Sequence, residues 1–174
     1  MSGINYNLKN IKAFIFDVDG VLSPSTVPMG RDGQPRRMAN VKDGYVIQLA
    51  VKLGYKICII TGGKDQSVVY RYNALGIKDV FLGAGKKLPI LKEWISKNGL
   101  ETYKILYMGD DIPDIPCLEY SGLSCCPSDA SPEVKNICTY ISKYKGGFGC
   151  VRDVISQVLK SQDNWMNDDD AFGW

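Results

Sequence analysis

The 174-residue chain contains no histidine, which narrows the chemistry that it can carry out. Serine triads, histidine phosphatases and His-ligated zinc sites all need an imidazole, so these three kinds of site are excluded. The six cysteines form no C-x-x-C pair, and none is followed six residues later by an arginine, which excludes the loop of cysteine-based phosphatases. Any catalysis must therefore use carboxylates, lysine, threonine and a metal ion.

The net charge is also small, and the sequence has no long apolar run. The formal net charge is +2 and the basic residues are scattered, so the sequence does not argue for a nucleic-acid partner. No apolar run approaches the roughly 20 residues needed to cross a bilayer, and the N-terminus lacks the basic and apolar regions of a signal peptide. We therefore expect a cytoplasmic protein without a membrane partner. Its cysteines are expected to be free, buried thiols: Cys58, Cys117, Cys125, Cys126, Cys138 and Cys150.

The sequence does contain a regular alternation of apolar strand segments and helical segments, which is typical of an α/β fold with a doubly wound parallel sheet. The predicted strands are Ile11–Phe16, Lys56–Ile60, Val80–Leu82, Lys104–Met108, Leu123–Cys125 and Tyr140–Ser142. The predicted helices are Asp43–Leu53, Gln66–Leu75, Lys87–Asn98, Asp114–Tyr120, Pro132–Asn136 and Cys150–Lys160. Asp43 is a suitable residue to cap the first of these helices.

The spacing of these segments predicts one domain over residues 1–160, with a β-hairpin flap at about 25–40. The hairpin would pair Thr26–Met29 with Gln34–Asn40 through an Asp-Gly turn. This segment is too short to hold a separate cap domain. Residues 161–174 are acidic and have no apolar period, so we expect a mobile tail.

Two aspartates one residue apart, Asp17 and Asp19, follow the first predicted strand. In open α/β sheets ligands bind at the carboxyl ends of the strands, so both carboxylates are expected at the binding edge. They would repel each other there unless a hard cation such as Mg²⁺ lay between them and the substrate. Gly20 then lets the chain turn sharply away.

Three further polar segments complete a pattern. Thr61 ends the second predicted strand, Lys87 begins a helix after a glycine-rich turn, and an Asp-Asp-x-x-Asp segment beginning at Asp110 follows the fourth predicted strand. A nucleophilic carboxylate, a hydroxyl donor, a cation and acidic metal ligands are the components that phosphoryl transfer requires. In this order they favour a phosphate-transferring enzyme.

These motifs resemble the haloacid dehalogenase superfamily of Mg²⁺-dependent aspartyl phosphatases, from about Lys12 to Leu159. Within it, the chain is similar to the small cap-less group that includes the 3-deoxy-D-manno-octulosonate 8-phosphate (KDO-8-phosphate) phosphatases. The segments that carry the narrower resemblance are 29–33, 40–45, 109–111 and 146–153.

The resemblance implies a role for each catalytic motif position. Asp17 would be the nucleophile that becomes an aspartyl phosphate, and Asp19 the general acid and base. Thr61 would donate its hydroxyl to the phosphoryl oxygens, with the amide of Gly62 beside it. Lys87 would stabilise charge on Asp17 and on the phosphoryl group.

The resemblance also implies a Mg²⁺ site. Its direct ligands would be Asp110, the carboxylate of Asp17 and the backbone carbonyl of Asp19, while Asp111 would act through a water molecule or from an outer position. Two interpretations of Asp114 stay open: a carboxylate near the metal, or the N-cap of the following helix.

For the substrate, the resemblance favours KDO-8-phosphate and a place in lipopolysaccharide synthesis. The alternative is 2-keto-3-deoxynononate 9-phosphate or a related sugar acid 9-phosphate. Gly63 stands where KDO-8-phosphate enzymes often carry Arg and the nononate enzymes carry Glu. The carboxylate of the sugar acid is thus left to Lys64, Arg71 or Lys42.

The segment Lys145–Gly149 has three glycines in four positions and cannot be an ordinary strand or helix. It is either a flexible connector or a loop that closes over the active site, with Arg152 near enough to attract an anion. Because cap-less relatives assemble as tetramers, the resemblance implies a homotetramer whose site is completed across a subunit boundary, with Arg71 as a contributor.

Two other classes of protein share parts of this pattern with a phosphatase. Receiver domains of signalling proteins combine a metal-binding acidic pair, a phospho-accepting Asp, a Thr and a Lys on a similar sheet. In them the acidic pair comes first, whereas here Asp-x-Asp comes first and the Asp-Asp pair follows the lysine. A phosphate-binding scaffold with an inactive site is disfavoured because no motif position is lost.

Overall fold

A computed structural model describes residues 3–167 and 169–174. Its sheet has six parallel strands: β1 (Ala13–Phe16), β2 (Lys56–Ile60), β3 (Asp79–Phe81), β4 (Ile105–Met108), β5 (Leu123–Cys126) and β6 (Tyr140–Ile141). The spatial order is β3-β2-β1-β4-β5-β6, which confirms the predicted doubly wound α/β fold. Because the strand order reverses between β1 and β4, the crevice at their carboxyl ends is the expected place for a ligand.

Helices follow the strands in alternation: α1 (Val41–Lys52), α2 (Gln66–Asn73), α3 (Lys87–Lys97), α4 (Ile115–Tyr120), α5 (Pro132–Ile137) and α6 (Cys150–Ser161). Every predicted helix is present, with ends that differ by one or two residues. The predicted cap of α1 is wrong. Asn40 is the N-cap, and its side chain accepts the N–H groups of Lys42 and Asp43. Asp43 lies three residues further along, and its carboxylate instead accepts the N–H of Arg152 at the start of α6.

The alternation of side chains along β1 divides the core between the two faces of the sheet. Phe14 and Phe16 belong to the cluster that packs against α1 and α6. Ala13 and Ile15 belong to the cluster that packs against α3, α4 and α5. Continuing this period of two, Asp17 lies on the side of the sheet where α3 begins. The cysteines are free and all but Cys138 are fully buried, which confirms the prediction for the thiols.

The flap, residues 25–39, is less regular than predicted. Regular pairing within it is one antiparallel bridge between Met29 and Pro35, reinforced by a hydrogen bond from the N–H of Gly30 to the carbonyl of Gln34. Every residue of the flap is exposed or half-buried. The two predicted strands are therefore reduced to the turn region, since little apolar area holds the rest together. In the part of the chain that the structure describes, no helix has the length and apolar character to cross a membrane.

The C-terminal segment, predicted to be a mobile tail, makes contacts with the rest of the chain in its described part, and its mobility stays a prediction. Trp165 packs against the cluster on the α1 and α6 face, and Ala171 is buried. The Tyr45 hydroxyl donates to the carbonyl of Ala171, and its ring meets Trp174 edge to face. The aromatic residues thus supply the apolar contacts that the run of aspartates lacks. Asp168, on which part of the expectation falls, lies outside the described residues.

Candidate active site

The carboxyl end of β1 places Asp17 between a neighbouring strand and a lysine. The N–H of Asp17 donates to the carbonyl of Met108 at the end of β4, which fixes the backbone of the residue. The Nζ of Lys87, the first residue of α3, lies 2.9 Å from Asp17 Oδ1 and 2.8 Å from Asp114 Oδ1. All three side chains are at least nine-tenths buried, so they form an ion-paired group beneath the surface.

Asp114 accepts hydrogen bonds from several residues in and around this group. Its Oδ1 also accepts the hydroxyl of Tyr107 at 2.7 Å, and its Oδ2 accepts the N–H of Asp110 at 3.1 Å. The N–H of Asp111 points to the same oxygen at 3.5 Å. With its oxygens so engaged, Asp114, the last residue of the short 3₁₀ turn Ile112–Asp114, reaches back to the backbone that precedes the turn and positions Lys87. It does not cap α4 with its side chain.

Tyr107 is a residue that sequence reasoning missed. Its side chain is fully buried on β4, on the same face as Ile15, and burial raises the pKa of its hydroxyl well above the usual value. A tyrosine within an otherwise apolar strand, three residues before the acidic segment, was the available signal. A buried phenol needs a partner, and the nearest acceptors in sequence were those aspartates.

The carboxylates around Lys87 lie close enough to repel one another. Burial, followed by the charge of Asp114, raises the pKa of Asp17 to about 7, although Lys87 opposes the shift. Burial and the neighbouring aspartates raise the pKa of Asp110 to about 8. One buried lysine therefore does not balance the negative charge at this edge of the sheet. We call Asp17, Lys87, Tyr107, Asp110 and Asp114 the strand-end cluster.

The strand-end cluster has the donor set that a divalent cation requires. Oxygen atoms of Asp17, Asp110 and Asp114 all lie within 4.8 Å of one another. Mg²⁺ prefers carboxylate oxygens, and its charge would relieve the crowding that raises the two pKa values. Since both carboxylate oxygens of Asp114 already accept hydrogen bonds, Asp17 and Asp110 are the residues that fit as ligands. Asp111 is exposed and lies at the rim.

A cleft of about 500 Å³ opens above the cluster. Thr61, at the end of β2, is buried at its floor, and its Oγ1 accepts the N–H of Gly63 at 3.1 Å. Gly62 is exposed in the cleft wall. The structure thus brings all four predicted catalytic residues and both acidic motifs to one cleft: Asp17, Asp19, Thr61, Lys87, Asp110 and Asp111.

Asp19 has a partner that the sequence did not indicate. Both of its carboxylate oxygens accept from Arg37 of the flap, Oδ1 from Nε and Oδ2 from Nη2, each at 2.8 Å. This hydrogen bonding raises the pKa of the Arg37 guanidinium. The two residues are 18 positions apart in an irregular segment, so no sequence period could have paired them.

The other predicted substrate-binding residues do not line this cleft in the single chain. Arg152 packs its guanidinium over Tyr45 and Trp165, and together with Lys42 it lines a separate cavity beside α6. Arg71 is half-buried against Gly44, and its Nε is buried without a hydrogen-bond partner. Lys64 is exposed near Gly83. Their roles toward a substrate stay predictions.

The glycine-rich loop packs behind the Asp-x-Asp-Gly turn. A Cβ at Gly146 would lie 1.9 Å from the carbonyl oxygen of Gly20, and one at Gly147 would lie 2.5 Å from Pro24. The Gly147 N–H donates to the carbonyl of Val21 at 2.7 Å. The glycines thus permit close backbone contact that braces the turn carrying Asp19. The proposed contact of this loop with a substrate stays a prediction.

Comparison with known proteins agrees with this geometry. Residues 79–155 match the family model described as haloacid dehalogenase-like hydrolase. The chain is 36% identical over 154 residues to the 3-deoxy-D-manno-octulosonate 8-phosphate phosphatase KdsC of Escherichia coli strain K12, covering 88% of this chain and 82% of that protein.

Solved structures show the same likeness. The 3-deoxy-D-manno-octulosonate 8-phosphate phosphatase of Yersinia pestis superposes with a TM-score of 0.87 at 34% identity, over 91% of this chain and 85% of that one. The enzyme of that name from Moraxella catarrhalis, in complex with a magnesium ion, a phosphate ion and a KDO molecule, gives a TM-score of 0.86 at 32% identity, over 91% of each chain. This chain therefore belongs to the haloacid dehalogenase-like hydrolase family.

Proposed function

We propose that the protein is a Mg²⁺-dependent phosphomonoesterase that works through an aspartyl phosphate on Asp17. The observation that carries the proposal is the Lys87 ammonium, which is ion-paired with Asp17 at the carboxyl end of β1 and opens, with Thr61, onto the cleft. A buried carboxylate oriented by a buried lysine is a nucleophile held in a fixed direction.

The residues divide the reaction between them. An oxygen of Asp17 attacks phosphorus and the bond from phosphorus to the ester oxygen breaks, while Asp19 gives a proton to the departing alkoxide. Water then attacks the phosphorus of the aspartyl phosphate, loses a proton to Asp19 and releases phosphate and free Asp17. Thr61 donates to the phosphoryl oxygens, and Lys87 offsets the charge that collects there.

Asp17 and Asp110 are the residues that would hold Mg²⁺. When bound, the ion would neutralise carboxylate and phosphoryl charge that Lys87 alone does not balance. The relative from Moraxella catarrhalis, solved with a magnesium ion, supports the presence of a Mg²⁺ site.

We propose KDO-8-phosphate as the substrate. The names of the related enzymes, and the KDO molecule in the Moraxella catarrhalis complex, support a 2-keto-3-deoxy sugar acid phosphate. The 2-keto-3-deoxynononate 9-phosphate stays the second candidate.

Hydrolysis of a panel of phosphates tests both proposals. We expect the highest kcat/KM for KDO-8-phosphate, with activity abolished by excess EDTA and restored by Mg²⁺. Asp17→Asn should lower kcat by on the order of a thousandfold or more, with an unchanged circular dichroism spectrum. Full activity of Asp17→Asn would contradict the nucleophile. A KDO-8-phosphate kcat/KM no better than that of hexose phosphates would contradict the substrate, and a preference for the nine-carbon analogue would favour the second candidate.

We further propose that the active form is a homotetramer in which a neighbouring subunit covers the cleft and Arg71 contributes across the boundary. Exposed apolar side chains on and beside the flap support an interface there: Met29 is 66% exposed, Met38 50% and Val41 63%. Light scattering at the concentration of the activity assay should give four times the chain mass. A fully active monomer would contradict the shared site.

A further inference from the structure

We propose that Arg37 is a specificity-determining residue that binds a carboxylate of the substrate while it holds Asp19. The inference rests on the proposed phosphomonoesterase function and deepens it. It assigns the second anionic group of the substrate to one side chain of the flap.

Arg37 is unlike its neighbours in the flap. The flap residues around it are exposed or half-buried, yet the Arg37 side chain is only 9% exposed. It extends inward from the flap to Asp19 and Gly63, two residues that line the cleft. The backbone beside it is held by a hydrogen bond from the N–H of Met38 to the hydroxyl of Ser23 at 3.1 Å. The flap thus places the Arg37 guanidinium at the edge of the cleft.

The guanidinium uses only one of its edges on Asp19. That edge is formed by Nε and Nη2, which donate to the two carboxylate oxygens. The other terminal nitrogen, Nη1, lies 3.7 Å from Asp65 Oδ2, which is too long for a hydrogen bond. Since a guanidinium has five N–H donors in a fixed fork, the edge formed by Nη1 and Nη2 can still donate two hydrogen bonds to a planar anion.

Gly63 provides the room for this edge. A Cβ at position 63 would lie 2.5 Å from Arg37 Nη2 and 3.0 Å from its Cζ, so any larger residue there would displace the guanidinium. Gly63 also lines the cleft next to Thr61, the predicted phosphoryl-binding residue. A ligand whose phosphoryl group contacts Thr61 and whose carboxylate lies on the side of Gly63 would reach Arg37.

A carboxylate is the anion that suits this position. The phosphoryl group is assigned to Asp17, Thr61 and Lys87, so Arg37 would meet a second group of the same substrate. Carboxylate geometry matches the arginine fork with two parallel hydrogen bonds, and lysine offers no such fork. Substrates that carry both groups are phosphorylated sugar acids.

The test compares 6-phosphogluconate with glucitol 6-phosphate, which differ only by a carboxylate in place of a hydroxymethyl group. The measured quantity is the ratio of their kcat/KM values, in which any effect of Arg37 on Asp19 that is common to both substrates cancels. The wild-type protein should prefer 6-phosphogluconate by about ten- to a hundredfold, the range expected for charge-assisted hydrogen bonds. Arg37→Gln should bring the ratio close to one, and Arg37→Lys should restore only part of it.

Arg36→Ala is the matched control. Arg36 is the adjacent arginine, but its side chain is 57% exposed and pairs with Asp32 at the tip of the flap. This variant should keep the wild-type ratio. An unchanged ratio in Arg37→Gln, or a wild-type ratio near one, would overturn the proposal. Equal losses on both substrates would do the same, since they would make Arg37 a positioning residue for Asp19 alone.

If the proposed substrate is wrong but the Arg37 proposal is right, the measurements differ from those that overturn the Arg37 proposal. Poor hydrolysis of KDO-8-phosphate with an Arg37-dependent ratio on the matched pair would contradict the substrate and uphold the carboxylate site. If neither matched compound is hydrolysed, binding is measured instead of kcat/KM, as the rise in Tm that each compound produces. A larger rise with 6-phosphogluconate that disappears in Arg37→Gln upholds the proposal, and equal rises overturn it.

Discussion

The strand-end cluster and the flap both join carboxylates to cations, but they do so in opposite surroundings. Lys87 is 6% exposed in its pairs with Asp17 and Asp114, and each partner is fixed by backbone at a strand end or turn. In the flap, the pair of Arg36 and Asp32 is more than half exposed, on a hairpin with a single bridge. Buried pairs have strong coupling and a high cost of separation, whereas exposed pairs contribute little.

The difference suggests a division of labour. Groups that must keep one geometry through a reaction lie on the sheet, where packing on both faces prevents movement. On our proposal, the group that meets the carboxylate of the substrate lies on the flap, which has little regular pairing of its own. Arg37 links the two regions, because it belongs to the flap in sequence and to the cleft in space.

The largest effect that we expect from this difference is a dependence of stability on pH in the metal-free protein. The pKa values of Asp17 and Asp110 are raised to about 7 and about 8, so the folded chain binds protons that the unfolded chain has released. The free energy of unfolding should therefore fall as the pH rises from about 4 to about 8, the window between unfolded and folded pKa values. Bound Mg²⁺ should reverse this loss at neutral pH.

Thermal unfolding between pH 5 and 8.5, with EDTA or with Mg²⁺, measures this. At about a hundred times its Kd, Mg²⁺ adds roughly 2.7 kcal/mol to the free energy of unfolding, which corresponds to about 5–10 °C in Tm for a chain of this size. Asp110→Asn, which removes one of the crowded charges, should flatten the pH dependence and reduce the effect of the metal. A metal-free Tm that rises over this pH range would contradict the raised pKa values of Asp17 and Asp110.

Alanine at two glycines compares the two regions directly. At Gly146, next to the Asp-x-Asp-Gly turn, the new Cβ would meet the backbone of Gly20, which cannot move alone. At Gly30 in the flap, the Cβ would meet only the ends of the Asp32 and Arg36 side chains, which can swing into solvent. We expect Gly146→Ala to lower the free energy of unfolding by about 3 kcal/mol. Urea denaturation of both variants measures the difference.

Gly30→Ala should leave the free energy of unfolding within about 0.5 kcal/mol of the wild-type value, as surface substitutions do. Equal losses at the two glycines would mean that the flap is as rigid as the turn, and the comparison between the regions would fail.

The contrast between these regions also marks what could be predicted from the sequence. The strands, the order of the motifs and the acidic cluster follow from continuous apolar runs and from polar residues at strand ends, as at Asp17, Thr61 and Asp110. The contacts of Arg37 and the cap of α1 did not follow, because they depend on where an irregular segment returns in space. Asn40 and Asp43 are equally good caps by residue type, and the contact of Asp43 with the start of α6 could not be read from the sequence.

Tyr107→Phe should have a moderate effect. It removes the hydroxyl that donates to Asp114 and keeps the volume of the buried ring, so Asp114 retains Lys87 and the backbone amides. Loss of a buried hydrogen bond to a charged group should lower the free energy of unfolding by about 1–2 kcal/mol and kcat by roughly tenfold. Tyr103→Phe is the control, because the Tyr103 hydroxyl contacts the exposed side chain of Glu101. A wild-type kcat in Tyr107→Phe would show that Lys87 needs no such support.

The smallest effect belongs to the exposed pair at the tip of the flap. Arg36 Nη2 lies 2.7 Å from Asp32 Oδ2, a distance as short as those in the buried cluster. Distance alone would therefore assign the two sites similar strength, but water and salt screen the exposed pair and ordering two mobile side chains opposes it. A double-mutant cycle with Arg36→Ala and Asp32→Ala, followed by urea denaturation, should show additive changes and no measurable coupling. Clear coupling that survives high salt would mean that the tip of the flap is ordered by its charges, and the flap would then belong with the cluster rather than opposite it.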